Sequence, residues 1–161
     1  MREIEYDRLK AVKYAEEWAF KRNPKYLDFE EIGGDCTNFV SQCVYAGCGV
    51  MNFTRNVGWY YISSSERAPS WTSVRFFYEF FTQNQGVGPY AAEVDITKIE
   101  IGDVIQLGDE DGKFYHALLI VALTDDEIYC AAHSYDAFMR PLTSYDFAKA
   151  RFLHIIAARN W

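Results

Sequence analysis

The run GGDCTNFVSQC, residues 33–43, decides how this chain is read. Gly33 and Gly34 permit backbone dihedrals and close approaches that a side chain forbids, and Asp35 is a favoured helix N-cap. Cys36 then becomes the first residue of a helix reaching to about Ala46, with Phe39, Val40, Cys43 and Val44 on one face. Unpaired N–H groups and the positive end of the helix dipole favour thiolate over thiol at that position, so Cys36 is expected to have a lowered pKa and to act as a nucleophile. The same N–H groups offer a cradle for an oxyanion. The competing reading is a buried thiol that serves as a small hydrophobe. Cys43 on the same helix, Cys48 after it and Cys130 in an apolar run fit that second reading, whereas only Cys36 combines a helix start with flexible glycines.

Outward from this run, Leu9, Val12, Ala15 and Ala19 recur at mostly helical spacing and predict a first helix over residues 4–21, ended by Asn23 and Pro24. Gly47 and Gly49 break the cysteine helix. Residues 52–69, which contain GWYYISSSERAPS, have no sustained period and read as a long surface connection of the kind that often carries function. Ser70 caps a further helix to about Gln83, and GVGP follows as a break. Residues 103–107, 114–124, 127–134 and 151–158 are then rich in apolar, β-branched and aromatic side chains, separated by turns such as GDEDGK and TDDE. Helices first and strands later predict one α+β domain over residues 1–161, with the nucleophile helix packed on a C-terminal antiparallel sheet.

Composition narrows the function classes. Lys and Arg total 16 against 23 Asp and Glu, a net charge of -7 without any basic run, so nucleic acid is not an expected partner. No stretch of 18 uncharged apolar residues suggests membrane insertion, and the opening MREIEYDRLK lacks the apolar core of a signal peptide. Four cysteines are too few for a disulfide scaffold of this size. The acidic turns at residues 109–111 and 125–127 lack the ligand pattern of a calcium loop, and neither C-x-x-C nor H-E-x-x-H occurs. No metal and no cofactor are therefore expected. The sequence is silent on oligomeric state.

A cysteine nucleophile needs a base near its sulfur and preferably a third group to hold that base in the right tautomer. His116 opens the most apolar strand-like run, FYHALLIV, where a polar ring is out of place unless it faces a site or finds a partner. It is the candidate base. His133 ends the next apolar run and is the preferred orienting group, with Asp136 as the alternative; His154, between Leu153 and Ile155, is read as structural. Trp59, Tyr60 and Trp71 are candidates to line a groove for a peptide or sugar, against the alternative that they pack the core. Asp35, beside the nucleophile, completes the candidate substrate-binding set.

The segments YDRLKAVKYAEEWA, GGDCTNFVSQC, GWYY, PSW, IGDVIQL, YHALLIV and AAHSYD together resemble the bacterial putative amidase domain family, grouped with the papain-like cysteine peptidases and related to NlpC and CHAP domains. The resemblance covers nearly the whole chain. It implies a papain-like (NlpC-type) fold in which Cys36 matches the nucleophile, His116 the general base and His133 the polar third member. Asp35-Cys36 matches the Asp-Cys pair of NlpC-type enzymes, whereas Thr37-Asn38 replaces the Ser-Gly that often follows. The implied activity is hydrolysis of an amide bond through a thioester, with a peptide or peptidoglycan fragment as substrate. An extracellular or cell-wall setting goes with that substrate, and a cytoplasmic one is compatible with the sequence. Two alternatives stand beside it: a catalytically silent wall-binding or protein-binding module, and an acyltransferase that uses the same thiol.

Overall fold

In the computed structural model, which describes residues 1–161, a short strand β1 (Arg2–Ile4) precedes helix α1 (Arg8–Trp18). Asp7 starts that helix by accepting the Lys10 N–H at 3.0 Å, so α1 begins later than its periodicity alone predicts. Gly33 and Gly34 take φ of 91° and 99°, a region closed to most side chains, and turn the chain into α2 (Cys36–Cys48). Gly47, expected to break this helix, lies inside it. A Cβ there would stand 2.5 Å from the Tyr6 ring and 2.8 Å from the Asp7 carbonyl, so glycine is what lets α2 press against the segment leading into α1.

The connection that follows departs from the surface loop expected for residues 52–69. Asn52 and Trp59 form an isolated antiparallel bridge, and β2 (Tyr61–Ser63) pairs with β3 (Glu66–Arg67). Trp59, Tyr60 and Ala68 are buried, since their apolar surface is what fixes this segment on the core. The single helix expected from Ser70 is two, α3 (Pro69–Thr72) and α4 (Val74–Gln83). They part at Ser73, whose backbone is extended and whose hydroxyl accepts the Phe76 N–H at 3.3 Å, capping the second helix.

Six strands complete the chain: β4 (Gly88–Val94), β5 (Val104–Gly108), β6 (Phe114–Leu123), β7 (Ile128–Ala132), β8 (Ala137–Pro141) and β9 (Lys149–Asn160). The main sheet is antiparallel throughout, in the order β1-β9-β5-β6-β7-β8, with β4 paired to β9. The architecture is thus α+β with a large antiparallel sheet, as the pattern of helices and strands predicts. β1, β4 and β8 are not legible as strands: β1 has three residues, β4 opens on the Gly88-Pro89 pair that reads as a break, and β8 is interrupted at Met139, whose φ is 61°.

The sheet is buried on both faces. The helices cover one, where Phe39, Cys43, Trp71, Phe77 and Phe81 meet Ala117, Leu119 and Ala131. On the other, Ile105, Leu107, Leu118, Ile120, Cys130 and Leu142 form a second cluster, flanked by Tyr145, Phe147 and Phe152. Residues 118–121 of β6 are buried without interruption, which explains why that strand reads as a continuous apolar run.

Candidate active site

The nucleophile helix begins without the usual cap. Asp35 stands at the N-cap position, yet its carboxylate makes no cap hydrogen bond. It accepts instead from the Phe29 N–H at 2.8 Å, from the Asn38 amide at 2.9 Å and, through its other oxygen, from His133 Nδ1 at 2.5 Å. The first helical bond inside the turn runs from the Phe39 N–H to the Asp35 carbonyl, leaving the N–H groups of Cys36, Thr37 and Asn38 with no backbone acceptor. The start of α2 is therefore open to a negative charge at the place where the thiol sits.

The sheet supplies the facing wall. The N–H and C=O of Ile120 bond toward the β5 side, at Asp103 and Gly102, so by alternation Ala117 points toward the β7 side. Pairing with β7 stops at Leu119 opposite Ala131. In the gap this leaves, the Ala117 N–H is turned to the Cys36 sulfur, with the Thr37 N–H and hydroxyl on its other side. His116, the residue next to Ala117, lines the same cleft of about 450 Å³ as Cys36, together with Tyr115, Ser134, Tyr135 and Arg140. The structure thus brings Cys36 and His116 to one cavity from positions 80 residues apart in sequence.

The charge states differ from those anticipated. Burial pushes the Cys36 thiol above its ordinary pKa; the Ala117 and Thr37 donors oppose that rise, and the Asp35 carboxylate adds to it. Burial and then the nearby Arg140 charge bring His116 down from 6.5 to about 4. The resting pair is a neutral thiol and a neutral imidazole, because desolvation of two buried groups outweighs the helix-terminus field on which the sequence expectation rested.

His133 is buried, and its contacts are with the base of α2 rather than with His116. Its Nδ1 meets Asp35, its Nε2 meets the Trp18 carbonyl at 2.8 Å, and its ring stacks on Phe39 with centroids 4.0 Å apart. The ring thereby ties the end of α1 to the turn that leads into α2. Asp136, the other candidate to orient His116, forms a bidentate pair with Arg22 at 2.7 and 3.1 Å. No hydrogen bond ties the His116 ring to Cys36 or to another group of the chain, and the Tyr145 ring lies beside it with centroids 6.0 Å apart. His133, expected to orient His116, instead supports Asp35 at the start of α2.

The candidate substrate contacts are also relocated. Asp35 is fully buried by the bonds above. Trp59 and Trp71 are fully buried and Tyr60 nearly so; the indole N–H groups donate to Ser41 at 3.1 Å and to Asn38 at 3.0 Å, and the two indoles pack 4.7 Å apart. They hold α3 and the preceding connection against α2 and do not line the cleft. The aromatic residues at the cleft are Tyr115, half exposed, Tyr135, 89% exposed, and Tyr145. Tyr115 was signalled by its place beside His116, whereas Tyr135 and Arg140 belong to a hairpin whose geometry no local pattern announces. His154 is structural, with Nδ1 on the buried Asp103 at 2.9 Å.

The chain is 38% identical over 144 residues to Uncharacterized protein YhbB of Bacillus subtilis (strain 168), covering 86% of this chain and 45% of that protein. It is 26% identical over 137 residues to Uncharacterized protein YjcM of the same organism, covering 80% of this chain and 31% of that one. The chain therefore spans less than half the length of these curated relatives. No solved structure matches it. The profile of the family described as "Putative amidase domain" matches residues 5–156, a span that takes in Cys36, His116 and His133, and the chain belongs to that family.

Proposed function

We propose that this protein is a cysteine-dependent amidase or peptidase of the papain-like, NlpC-related kind, acting on peptide amides such as those of peptidoglycan. The family name points to amide hydrolysis. The observation that carries the cysteine mechanism is the meeting of Cys36 and His116 in one cleft, at a helix start whose N–H groups have no backbone acceptor. As the thiol attacks the substrate carbonyl carbon, neutral His116 takes the sulfur proton and the carbonyl oxygen becomes an oxyanion facing the N–H groups at the start of α2. Collapse breaks the C–N bond, His116 returns the proton to the leaving amine, and a thioester remains. Water then attacks the thioester while His116 takes its proton; the C–S bond breaks and the thiol is restored.

The test is mass spectrometry of peptidoglycan stem peptides and muropeptides incubated with wild type, Cys36→Ala and His116→Ala. New amino termini are expected from wild type, with a loss of at least about a thousandfold in either variant. Cleavage retained by Cys36→Ala would overturn the reading. Binding without cleavage would mark a recognition module, and a product joined to an added amine would mark an acyltransferase.

A further inference from the structure

One residue of the cleft has no part in the bond-breaking chemistry above. Arg140 lines the cavity with Cys36 and His116, and it arrives there through a defect in β8. Ala137 pairs with Ala132, yet it is Arg140, not Met139, that stands opposite Cys130, so β8 spends one extra residue across this interval. Met139 takes a φ of 61°, which is unusual for a side-chain-bearing residue, and half-exposes its side chain. A regular strand would place Met139 on the Cys130 face; the bulge places Arg140 there instead.

The guanidinium is then held in position. Its Nε donates to Ser144 Oγ at 2.9 Å and its Nη2 to the Ser144 carbonyl at 3.1 Å, while the plane lies 3.8 Å from the Tyr145 ring centroid. No carboxylate lies within ion-pair distance of it, although the chain carries a net charge of -7 and Asp146 borders the same cleft. Beyond Ser144 the guanidinium meets the Tyr145 hydroxyl, which is neutral, so its charge is not balanced within the cleft. Arg140 is also close enough to act on His116, since its charge disfavours protonation of that ring. A fixed and partly desolvated cation without a counter-ion, beside a nucleophile, is suited to a ligand's carboxylate.

We propose that Arg140 is the specificity residue of the Cys36 cleft and binds a carboxylate that the peptide substrate carries close to its scissile amide. This rests on the cysteine-hydrolase reading and adds its substrate class: acidic peptides rather than neutral ones. Pairing with the substrate also removes the positive field on His116, so an acidic substrate restores basicity to the group that must take the thiol proton.

The experiment compares alkylation of Cys36 by iodoacetate and by iodoacetamide at one pH, read by peptide mass spectrometry and normalised to the same reagents on glutathione. The two differ in the carboxylate. In wild type, iodoacetate is expected to label Cys36 faster than iodoacetamide after normalisation, and the ratio is expected to fall about tenfold in Arg140→Gln with partial recovery in Arg140→Lys. A wild-type ratio below one, the result for an acidic protein without a carboxylate site, overturns the proposal even where a variant fails to fold. So does a ratio that folded Arg140→Gln leaves unchanged, or the absence of labelling by both reagents. Charge-selective labelling that ignores His116→Ala would keep the Arg140 site and remove the base; labelling that depends on His116 but not on reagent charge would do the reverse.

Discussion

Cys36 and His116 are ordinary residue types that the fold places in one cleft, and their proposed roles as nucleophile and base rest on that placement. Because both are neutral at rest, alkylation of Cys36 by iodoacetamide is expected to climb steadily from pH 7 to beyond pH 9, with no plateau at neutral pH. A plateau below pH 7, measured by peptide mass spectrometry, would mean a preformed thiolate and imidazolium. His116 also shapes acid stability. Its folded pKa of about 4 lies below its unfolded value of 6.5, so between these the unfolded chain binds more protons, and stability falls as pH drops through that window. The effect is at most roughly 3 kcal/mol, lessened by the ring's partial exposure. His116→Ala is therefore expected to lose less stability than wild type between pH 7 and pH 4 in urea titrations, and an equal loss would contradict the depressed pKa. The sequence marked both residues, but the sign of the Cys36 shift was hidden, since desolvation depends on what α2 and β6 bring around the sulfur.

At the scale of the element, α2 is fastened at both ends. Its start hangs on the buried pair of Asp35 and His133, so His133→Ala takes from the Asp35 carboxylate the closest of its donors and is expected to cost about 2 kcal/mol. Chemical denaturation measures this, and a change below about 1 kcal/mol would show that the pair contributes little. Its far end rests on Gly47. Gly47→Ala drives a methyl group into the Tyr6 ring and the Asp7 carbonyl, with an expected loss of about 1–3 kcal/mol in the same assay. The motif GGDCTNFVSQC was enough to place the helix and its first residue. It did not tell which partner Asp35 would choose, because that choice is made by His133, which lies 98 residues further on and is delivered by the end of β7.

Across the whole molecule, Asp103 joins the two ends of the chain to the middle of the sheet. It accepts from Arg8 Nη1 at 2.6 Å, His154 Nδ1 at 2.9 Å, the Glu100 N–H at 2.8 Å and the Ile155 N–H at 3.0 Å, while fully buried. Asp103→Ala removes the acceptor from all four and is expected to lower stability by about 3–5 kcal/mol in thermal or urea unfolding. Unfolding unchanged in that variant would show that α1 docks without help from the Asp103 bonds. What the sequence by itself determined was the class of fold and the helix that bears the thiol, because hydrophobic period and glycine geometry are local properties. Only the tertiary structure decided that His133 supports Asp35, that Trp59, Tyr60 and Trp71 are core, and that a bulge in β8 turns Arg140 into the cleft. Those assignments depend on which strands pair, where their pairing stops and which side chains lose water together, and none of these is written in any short stretch of the chain.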